Sequence, residues 1–352
     1  MVEFLAEYGL FLAKTVTIVI ATIIIMATAV ANTMKQRVED KGSIIITHLN
    51  KQINDLKDEI VKAVEDEHTL KKVHKEEKKK AKKEKKAKRK SLGKEGDAKK
   101  RIFVLNFDGD PKASQVYELR KAITAVLTMA KPEKDEVMLR LESPGGMVHA
   151  YGLAASQLQR IRSREIPLTI CVDKVAASGG YMMACVANKL IAAPFAYIGS
   201  IGVLVQMPNF NRLLKDKHVD YEMVTAGEYK RTLTMFGENT KKDREKMEED
   251  IQEVHTLFKD FVRTSRPDMA IDKLATGETW LGSRARELGL VDETGTSDEY
   301  IVAACDNAEV YEVSYEKKKK ITDKLGSVLE GALDNILMRW LQRSGNRDEL
   351  IS

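Results

Sequence analysis

The chain has 352 residues, which suits one sizeable folded core with appendages, and 43% of them are hydrophobic, as in a globular protein. The formal net charge of the whole chain is +5. Residues 71–100 carry 16 Lys and Arg against 5 Asp and Glu, a net charge of +11, so the rest of the chain has a net charge of −6. Because the positive charge is confined to one segment, we expect no nucleic-acid partner. The three cysteines, Cys171, Cys185 and Cys305, lack paired spacing, which argues against disulfides and a zinc site. We expect neither a metal nor a cofactor.

The N-terminal region has the pattern of a membrane anchor. Residues 15–34 contain no charged side chain. A helix of that length spans about 30 Å, the thickness of the hydrocarbon core of a bilayer. The small-x-small sequence Ala29-Val30-Ala31 also allows a cleaved signal peptide, although the region before it lacks the usual basic start. We predict that residues 1–37 form a single-pass transmembrane anchor.

The next two segments differ sharply in composition. Within residues 38–70, apolar positions are spaced alternately by three and four residues, which predicts an amphipathic helix that pairs as a coiled coil or lies on its own domain. The positions concerned are Ile46, Leu49, Ile53, Leu56, Ile60 and Ala63. Residues 71–100 are Lys/Glu-rich and cannot bury a core, so we predict an exposed linker, either solvated or resting on anionic lipid.

From residue 101 onward, strand and helix patterns alternate, which predicts an α/β domain with a parallel sheet over residues 101–316. The predicted strands are 101–107, 136–142 and 167–173, and the predicted helices are 113–130, 147–162 and 243–265. Ligands bind such sheets at the carboxyl ends of the strands. Two glycine turns lie at such ends, one at Gly145-Gly146 and one at Gly179-Gly180. Residues 317–352 predict an amphipathic helix that packs on protein or on a membrane surface.

Ser178 is the candidate nucleophile. It follows a predicted strand and precedes Gly179 and Gly180 at a predicted helix start, where backbone N–H groups point outward and suit an oxyanion. Gly145 ends the neighbouring strand, and glycine allows close approach of the backbone to a ligand. The N–H groups of Gly145 and Gly179 therefore predict a two-donor oxyanion hole.

The general base has two candidates. Of the six histidines, only His149 is near a glycine turn, where a structural role explains it equally well. Lys230 lies in the sequence Gly227-Glu228-Tyr229-Lys230. A lysine removes a proton from serine only in its neutral form, which requires its pKa to fall from about 10.4 to about 7 through burial.

Four ordered motifs together resemble the signal peptide peptidase A family of serine peptidases, and within it the SohB branch. They are Ser143-Pro144-Gly145-Gly146, Ala177-Ser178-Gly179-Gly180-Tyr181, Ile198-Gly199-Ser200-Ile201-Gly202-Val203 and Gly227-Glu228-Tyr229-Lys230. The resemblance covers roughly residues 100–305. It implies a crotonase-like (Clp-peptidase-like) fold and an N-terminal membrane anchor followed by a charged extension.

The same resemblance implies roles for five residues. Ser178 would be the nucleophile, Lys230 the general base, Gly145 and Gly179 the oxyanion-hole donors, and Ser200 the residue that orients the lysine. It further implies homo-oligomeric rings with enclosed active sites, and substrates such as signal-peptide remnants or other hydrophobic or unfolded polypeptides. A Ser-Lys serine endopeptidase is therefore expected.

Two observations disagree on which side of the membrane the catalytic domain lies. The family implies an inner-membrane protein with a periplasmic catalytic domain. However, Lys35, Arg37 and Lys41 follow the predicted anchor, which the positive-inside rule associates with the cytoplasm. Two alternatives to the peptidase also remain: a non-catalytic membrane scaffold that uses residues 46–63 and 321–341, and a crotonase-fold enzyme acting on acyl-CoA.

Overall fold

A computed structural model describes residues 8–12, 14–22, 42–65 and 99–317. The chain divides into two compact units, one made of Met1–Ser43 with Glu316–Ser352 and the other of Ile44–Tyr315. In the first unit, residues 8–12 and 14–22 are helical. No helix within the described ranges has the length and apolar character needed to cross a membrane, and the predicted anchor is described only as far as residue 22.

The strands and helices of the described chain are as follows. The strands are β1 (Gly42–His48), β2 (Lys100–Asp108), β3 (Asp135–Glu142), β4 (Leu168–Val172), β5 (Val175–Ala177), β6 (Lys189–Ala192), β7 (Tyr197–Gly199), β8 (Thr279–Leu281), β9 (Glu293–Thr294) and β10 (Ala308–Lys317). The helices are α1 (Leu49–Val64), α2 (Val116–Leu127), α3 (Val148–Arg162), α4 (Gly179–Ala184), α5 (Asn211–Asp216), α6 (Lys241–Ser265), α7 (Ile271–Leu274), α8 (Gly282–Glu287) and α9 (Ser297–Asn307).

The larger sheet has seven strands in the order β1-β10-β2-β3-β4-β6-β9. From β10 to β9 each neighbouring pair is parallel, as the alternation of strands and helices predicts. Side chains alternate between two buried faces: Phe103 and Leu105 on β2 join the main core, whereas Ile102 and Val104 join a second core with α1 and α9. Burial on both faces explains why these strands are almost continuously hydrophobic.

The smaller sheet has the order β5-β7-β8, with β5 and β7 parallel and β7 and β8 antiparallel. Ser143, just beyond β3, joins the two sheets through a bridge to Ala176. The Ser143 N–H donates to the Val175 carbonyl at 2.8 Å, and the Ala177 N–H donates to the Ser143 carbonyl at 3.0 Å. This bridge brings the two glycine turns of the sequence to one place.

The predicted helix over 38–70 is corrected at its start. Residues 42–48 form β1, since the run Ile44-Ile45-Ile46-Thr47 consists of β-branched side chains that favour strands, and α1 begins only at Leu49. Leu49 is buried in the second core, so residues 44–65 belong to the same compact unit as the α/β domain. Within the predicted linker only residues 99 and 100 are described, and the predicted C-terminal helix lies outside the described residues beyond Lys317.

Candidate active site

Ser178 occupies the turn between β5 and α4. Its backbone has φ 52° and ψ −120°, a region that residues with a side chain rarely adopt, and its N–H donates to the Gly199 carbonyl at 2.8 Å. Such a conformation costs on the order of 1–3 kcal/mol and persists only where the surroundings hold it in place. A strained turn between a strand and a helix presents a nucleophilic serine at the surface of α/β hydrolases. Ser178 likewise lies between a strand and a helix, and its side chain is half-buried.

Gly145 packs directly against the turn of Ser178. Its φ is +89°, and a Cβ added there would lie 2.8 Å from the Gly179 nitrogen, 2.8 Å from the Ser178 Cβ and 2.7 Å from the Ala177 carbonyl oxygen. No side chain fits in this space. The two glycine turns are therefore in contact, as a shared oxyanion site requires.

The backbone N–H groups of the two glycine turns differ in whether they already donate a hydrogen bond. The Gly145 N–H donates to the Ser143 Oγ at 3.0 Å. The neighbouring N–H of Gly146 and the N–H of Gly179 have no acceptor in the part of the chain that the structure describes. Gly179 thus carries a free donor beside Ser178, Gly146 becomes a further candidate that the sequence did not single out, and Gly145 stays a prediction as a donor.

Ser200 follows the strand that pairs with β5. Ala177 is the register partner of Gly199, so Ser178 and Ser200 follow directly on paired residues. Ser200 also has φ 52°, and its N–H donates to the Glu278 carbonyl at 2.6 Å. The structure therefore places Ser200 close in the fold to the candidate nucleophile, and its role toward the lysine stays a prediction.

Lys230 is exposed on the segment between β7 and α6. Its backbone N–H donates to the Gly227 carbonyl at 3.1 Å, and its side chain has no hydrogen bond to Ser178 or Ser200 within the described chain. A hydrogen bond between Ser178 and Lys230 is therefore not seen among the described residues, and the dyad stays a prediction. The burial that a neutral lysine needs is also missing in this arrangement.

The segment that carries Lys230 is unusually apolar for its exposure. Between β7 and α6 many large hydrophobic side chains face solvent, with Val224 at 98% and Leu204 at 74% exposure. The others include Val205, Met207, Phe210, Leu213, Val219, Tyr221, Met223, Tyr229, Met235 and Phe236. An exposed patch of this extent is typical of an interaction surface.

The structure also describes the rival base, His149, and the side chains that could hold a metal ion. His149 is exposed in the first turn of α3 and has no hydrogen-bond partner among the described residues. Across the described ranges, His, Cys, Asp and Glu side chains form no group of three that is suited to a metal ion.

One buried group at the site was not identified from the sequence. The Tyr151 hydroxyl on α3 lies 2.6 Å from the Ser143 Oγ and donates to the Asp110 carbonyl at 2.8 Å. Tyr151 is fully buried. A tyrosine in an amphipathic helix is most often a core residue, so only its contacts reveal its position behind the glycine turns.

Two family models match nearly the whole chain. The model described as "Peptidase family S49 N-terminal" matches residues 3–158, and the model described as "Peptidase family S49" matches residues 160–311. The boundary falls inside α3, so it does not separate folded units. Gly145 lies in the first match and Ser178 and Lys230 in the second, so the candidate site draws on both.

Curated relatives agree with these matches. The chain is 46% identical over 347 residues to "Probable protease SohB" of Haemophilus influenzae, covering 96% of each chain. It is 45% identical to "Probable protease SohB" of Buchnera aphidicola subsp. Schlechtendalia chinensis, covering 86% of this chain and 99% of that one. It is also 29% identical to "Protease 4" of Haemophilus influenzae over 57% of this chain and 34% of that protein.

Proposed function

The chain belongs to peptidase family S49, the family of its SohB relatives, and from that premise we propose that it is a serine endopeptidase with Ser178 as nucleophile and Lys230 as general base. The observation that carries the proposal is the strained turn at Ser178, packed against Gly145 and flanked by the free N–H of Gly179. The two-sheet α/β arrangement supports the crotonase-like assignment of the fold.

The chemistry follows from these groups. The Ser178 Oγ attacks the carbonyl carbon of the scissile peptide bond while its proton passes to the neutral Lys230 Nζ. The negative charge on the former carbonyl oxygen is stabilised by the Gly179 N–H together with an N–H from the Gly145-Gly146 turn. When the carbon–nitrogen bond breaks, Lys230 returns the proton to the leaving amine, and water then hydrolyses the acyl-enzyme.

Assembly is part of the proposal because Lys230 is exposed in the single chain. Burying the apolar segment around Lys230 against a second copy would remove hydrophobic surface from water and would also desolvate the lysine. Both effects favour a homo-oligomer whose active sites are completed on association. A ring with an enclosed chamber, as the resemblance implies, fits such a site.

The remaining expectations concern place and substrate. We propose that residues 15–34 anchor the protein in the bacterial inner membrane, with the catalytic domain on the periplasmic side. On the family resemblance we propose signal-peptide remnants or other hydrophobic, unfolded polypeptides as substrates. Support for the anchor comes from the uncharged run of residues 15–34.

The decisive experiment is covalent labelling of the assembled full-length chain with a fluorophosphonate probe. We expect wild type to be labelled, and Ser178→Ala and Lys230→Ala to lose at least about 100-fold in labelling rate, since nucleophile and base act as a unit. Lys217→Ala serves as the control, because Lys217 is an exposed lysine on the same segment.

Three outcomes would contradict parts of the proposal. Labelling that survives Ser178→Ala would place the nucleophile elsewhere. Labelling lost in Ser178→Ala but kept in Lys230→Ala would reassign the base, with His149 tested next. An assembled wild type that resists labelling and shows no peptidase activity would favour the scaffold alternative.

A further inference from the structure

A chain of hydrogen bonds runs behind the two glycine turns. The Gly145 N–H donates to the Ser143 Oγ at 3.0 Å, the Ser143 Oγ lies 2.6 Å from the Tyr151 hydroxyl, and that hydroxyl donates to the Asp110 carbonyl at 2.8 Å. Ser143 and Tyr151 are both fully buried. The bond from Gly145 to Ser143 and the bond between the two hydroxyls are therefore closed to solvent, and the bond to the exposed Asp110 is partly buried.

The donor and the acceptor of each of these hydrogen bonds follow from the groups involved. A carbonyl oxygen only accepts, so the single proton of the Tyr151 hydroxyl is committed to Asp110. Ser143 must then donate its own proton to the Tyr151 oxygen, which leaves the Ser143 lone pairs to accept from the Gly145 N–H. Burial raises the pKa of the Tyr151 phenol above its ordinary value, so the hydroxyl keeps the proton that this order requires.

The ring of Tyr151 contacts the other glycine turn. A Cβ added to Gly179 would lie 2.7 Å from the Tyr151 Cβ and 2.8 Å from its Cδ2, and closer still to its Cγ. The ring thus packs flush against the backbone that follows Ser178. Phe107 supports the ring from β2 in an edge-to-face arrangement with centroids 6.4 Å apart.

We propose that Tyr151 is a positioning residue that sets the spacing of the oxyanion donors, through its hydroxyl on the Gly145-Gly146 turn and its ring on Gly179. This rests on the proposed serine peptidase mechanism. By fixing Gly145 to Ser143, the hydrogen-bond chain holds the turn so that the adjacent Gly146 N–H stays free. The donors are then in place before substrate arrives, which is the condition for strong stabilisation of an oxyanion.

The test compares Tyr151→Phe with wild type in the full-length chain, using a fluorogenic peptide substrate and a peptide aldehyde whose hemiacetal oxygen occupies the oxyanion site. The variant keeps the ring and loses only the hydroxyl. We expect kcat to fall about 10-fold or more while KM stays within about twofold, because a displaced donor weakens the transition state rather than substrate binding. The aldehyde inhibition constant should rise by the same factor as kcat falls.

Two further variants keep the result interpretable. Ser143→Ala interrupts the same chain from the other side, so its effect should match that of Tyr151→Phe, and the double variant should lose little more than either alone. If Tyr151→Phe does not fold, Ser143→Ala alone tests the proposed role of Tyr151. Tyr300→Phe is the control, since it removes a hydroxyl bonded to the buried Glu136 on the opposite face of the sheet, and its kcat should be that of wild type.

The outcomes separate the two proposals. Wild type without turnover that depends on Ser178 would sink the peptidase mechanism itself. Wild type with such turnover, but with an unchanged kcat and aldehyde inhibition constant in Tyr151→Phe or Ser143→Ala, would overturn only the role of Tyr151. A fall in kcat with unchanged aldehyde binding would also overturn it, because the donors would then be in place.

Discussion

Gly179 and Gly145 show how tightly single residues control the candidate site. A methyl group at Gly179 would collide with the ring of Tyr151, and one at Gly145 would collide with the turn of Ser178 in a backbone region that already disfavours side chains. Neither neighbour can move away freely, since one is a buried ring and the other is backbone. Both positions therefore require glycine for reasons of space.

We expect Gly179→Ala to lose at least about 100-fold in peptidase activity, comparable with removal of an oxyanion donor. Gly152→Ala is the matched control: Gly152 lies on α3 one residue after Tyr151, and an added Cβ would meet nothing within 4 Å. That variant should keep full activity and gain up to about 1 kcal/mol of stability from helix propensity. Turnover of the peptide substrate and thermal unfolding measure both effects, and an active Gly179→Ala would show that the turn can relax.

At the scale of elements, one buried carboxylate joins four of them. Glu136 on β3 accepts hydrogen bonds from Lys100 on β2 at 2.5 Å, from Thr169 on β4 at 2.7 Å and from Tyr300 on α9. Burial alone would raise the pKa of the Glu136 carboxyl, but these hydrogen bonds outweigh it and hold the pKa below its ordinary value. The ionised carboxylate therefore fastens α9 to the sheet.

The sign of the pH effect follows from that lowered pKa. The stabilisation is complete above the unfolded pKa of a glutamate, about 4.3, and is lost as the pH falls through the lower folded value. We expect Glu136→Gln to be about 2 kcal/mol less stable than wild type at pH 7, and the difference to shrink as the pH is lowered below about 4. Urea unfolding at several pH values measures it.

Glu293→Gln is the control for Glu136→Gln. Its carboxylate pairs with Lys189 at 2.9 Å on the surface, where both side chains are about half exposed. Such pairs contribute about 0–1 kcal/mol, so this variant should stay close to wild type throughout. A difference for Glu136→Gln that is constant with pH would contradict the account of its ionisation.

At the scale of the whole molecule, the exposure of Lys230 leads to a prediction about assembly. Since Lys230 is exposed and makes no hydrogen bond to Ser178 within the described chain, we expect it to act on Ser178 of a second copy. Mixed oligomers of the inactive variants Ser178→Ala and Lys230→Ala would then contain sites with an intact serine and an intact lysine. Co-expression should restore about a quarter of wild-type labelling, from random mixing of equal amounts.

The same experiment has a clear contrary result. If oligomers form and mix but no labelling returns, Lys230 completes the site within its own chain after a rearrangement of the segment between β7 and α6. The control is a mixture of Ser178→Ala with the double variant Ser178→Ala/Lys230→Ala, which should stay unlabelled. Tagged copies of each variant, purified in turn, establish that mixing took place.

Much of the architecture was predictable because its signals are local. The strands predicted at 101–107, 136–142 and 167–173 are confirmed within one residue at each end, since each is a hydrophobic run in a sheet buried on both faces. The parallel sheet and the family resemblance are confirmed as well. The three-residue strands β5, β7 and β8 were not predicted, because such short runs have no measurable periodicity.

The sequence by itself determined the family, the parallel α/β core and the candidate nucleophile with its glycine turns, because each depends on residue types at short spacing. Only the tertiary structure decided which amides are free, that Tyr151 joins the two turns, and that Lys230 is exposed. These depend on contacts between segments far apart in the sequence. Burial and hydrogen bonding across such distances follow from packing, which no local pattern specifies.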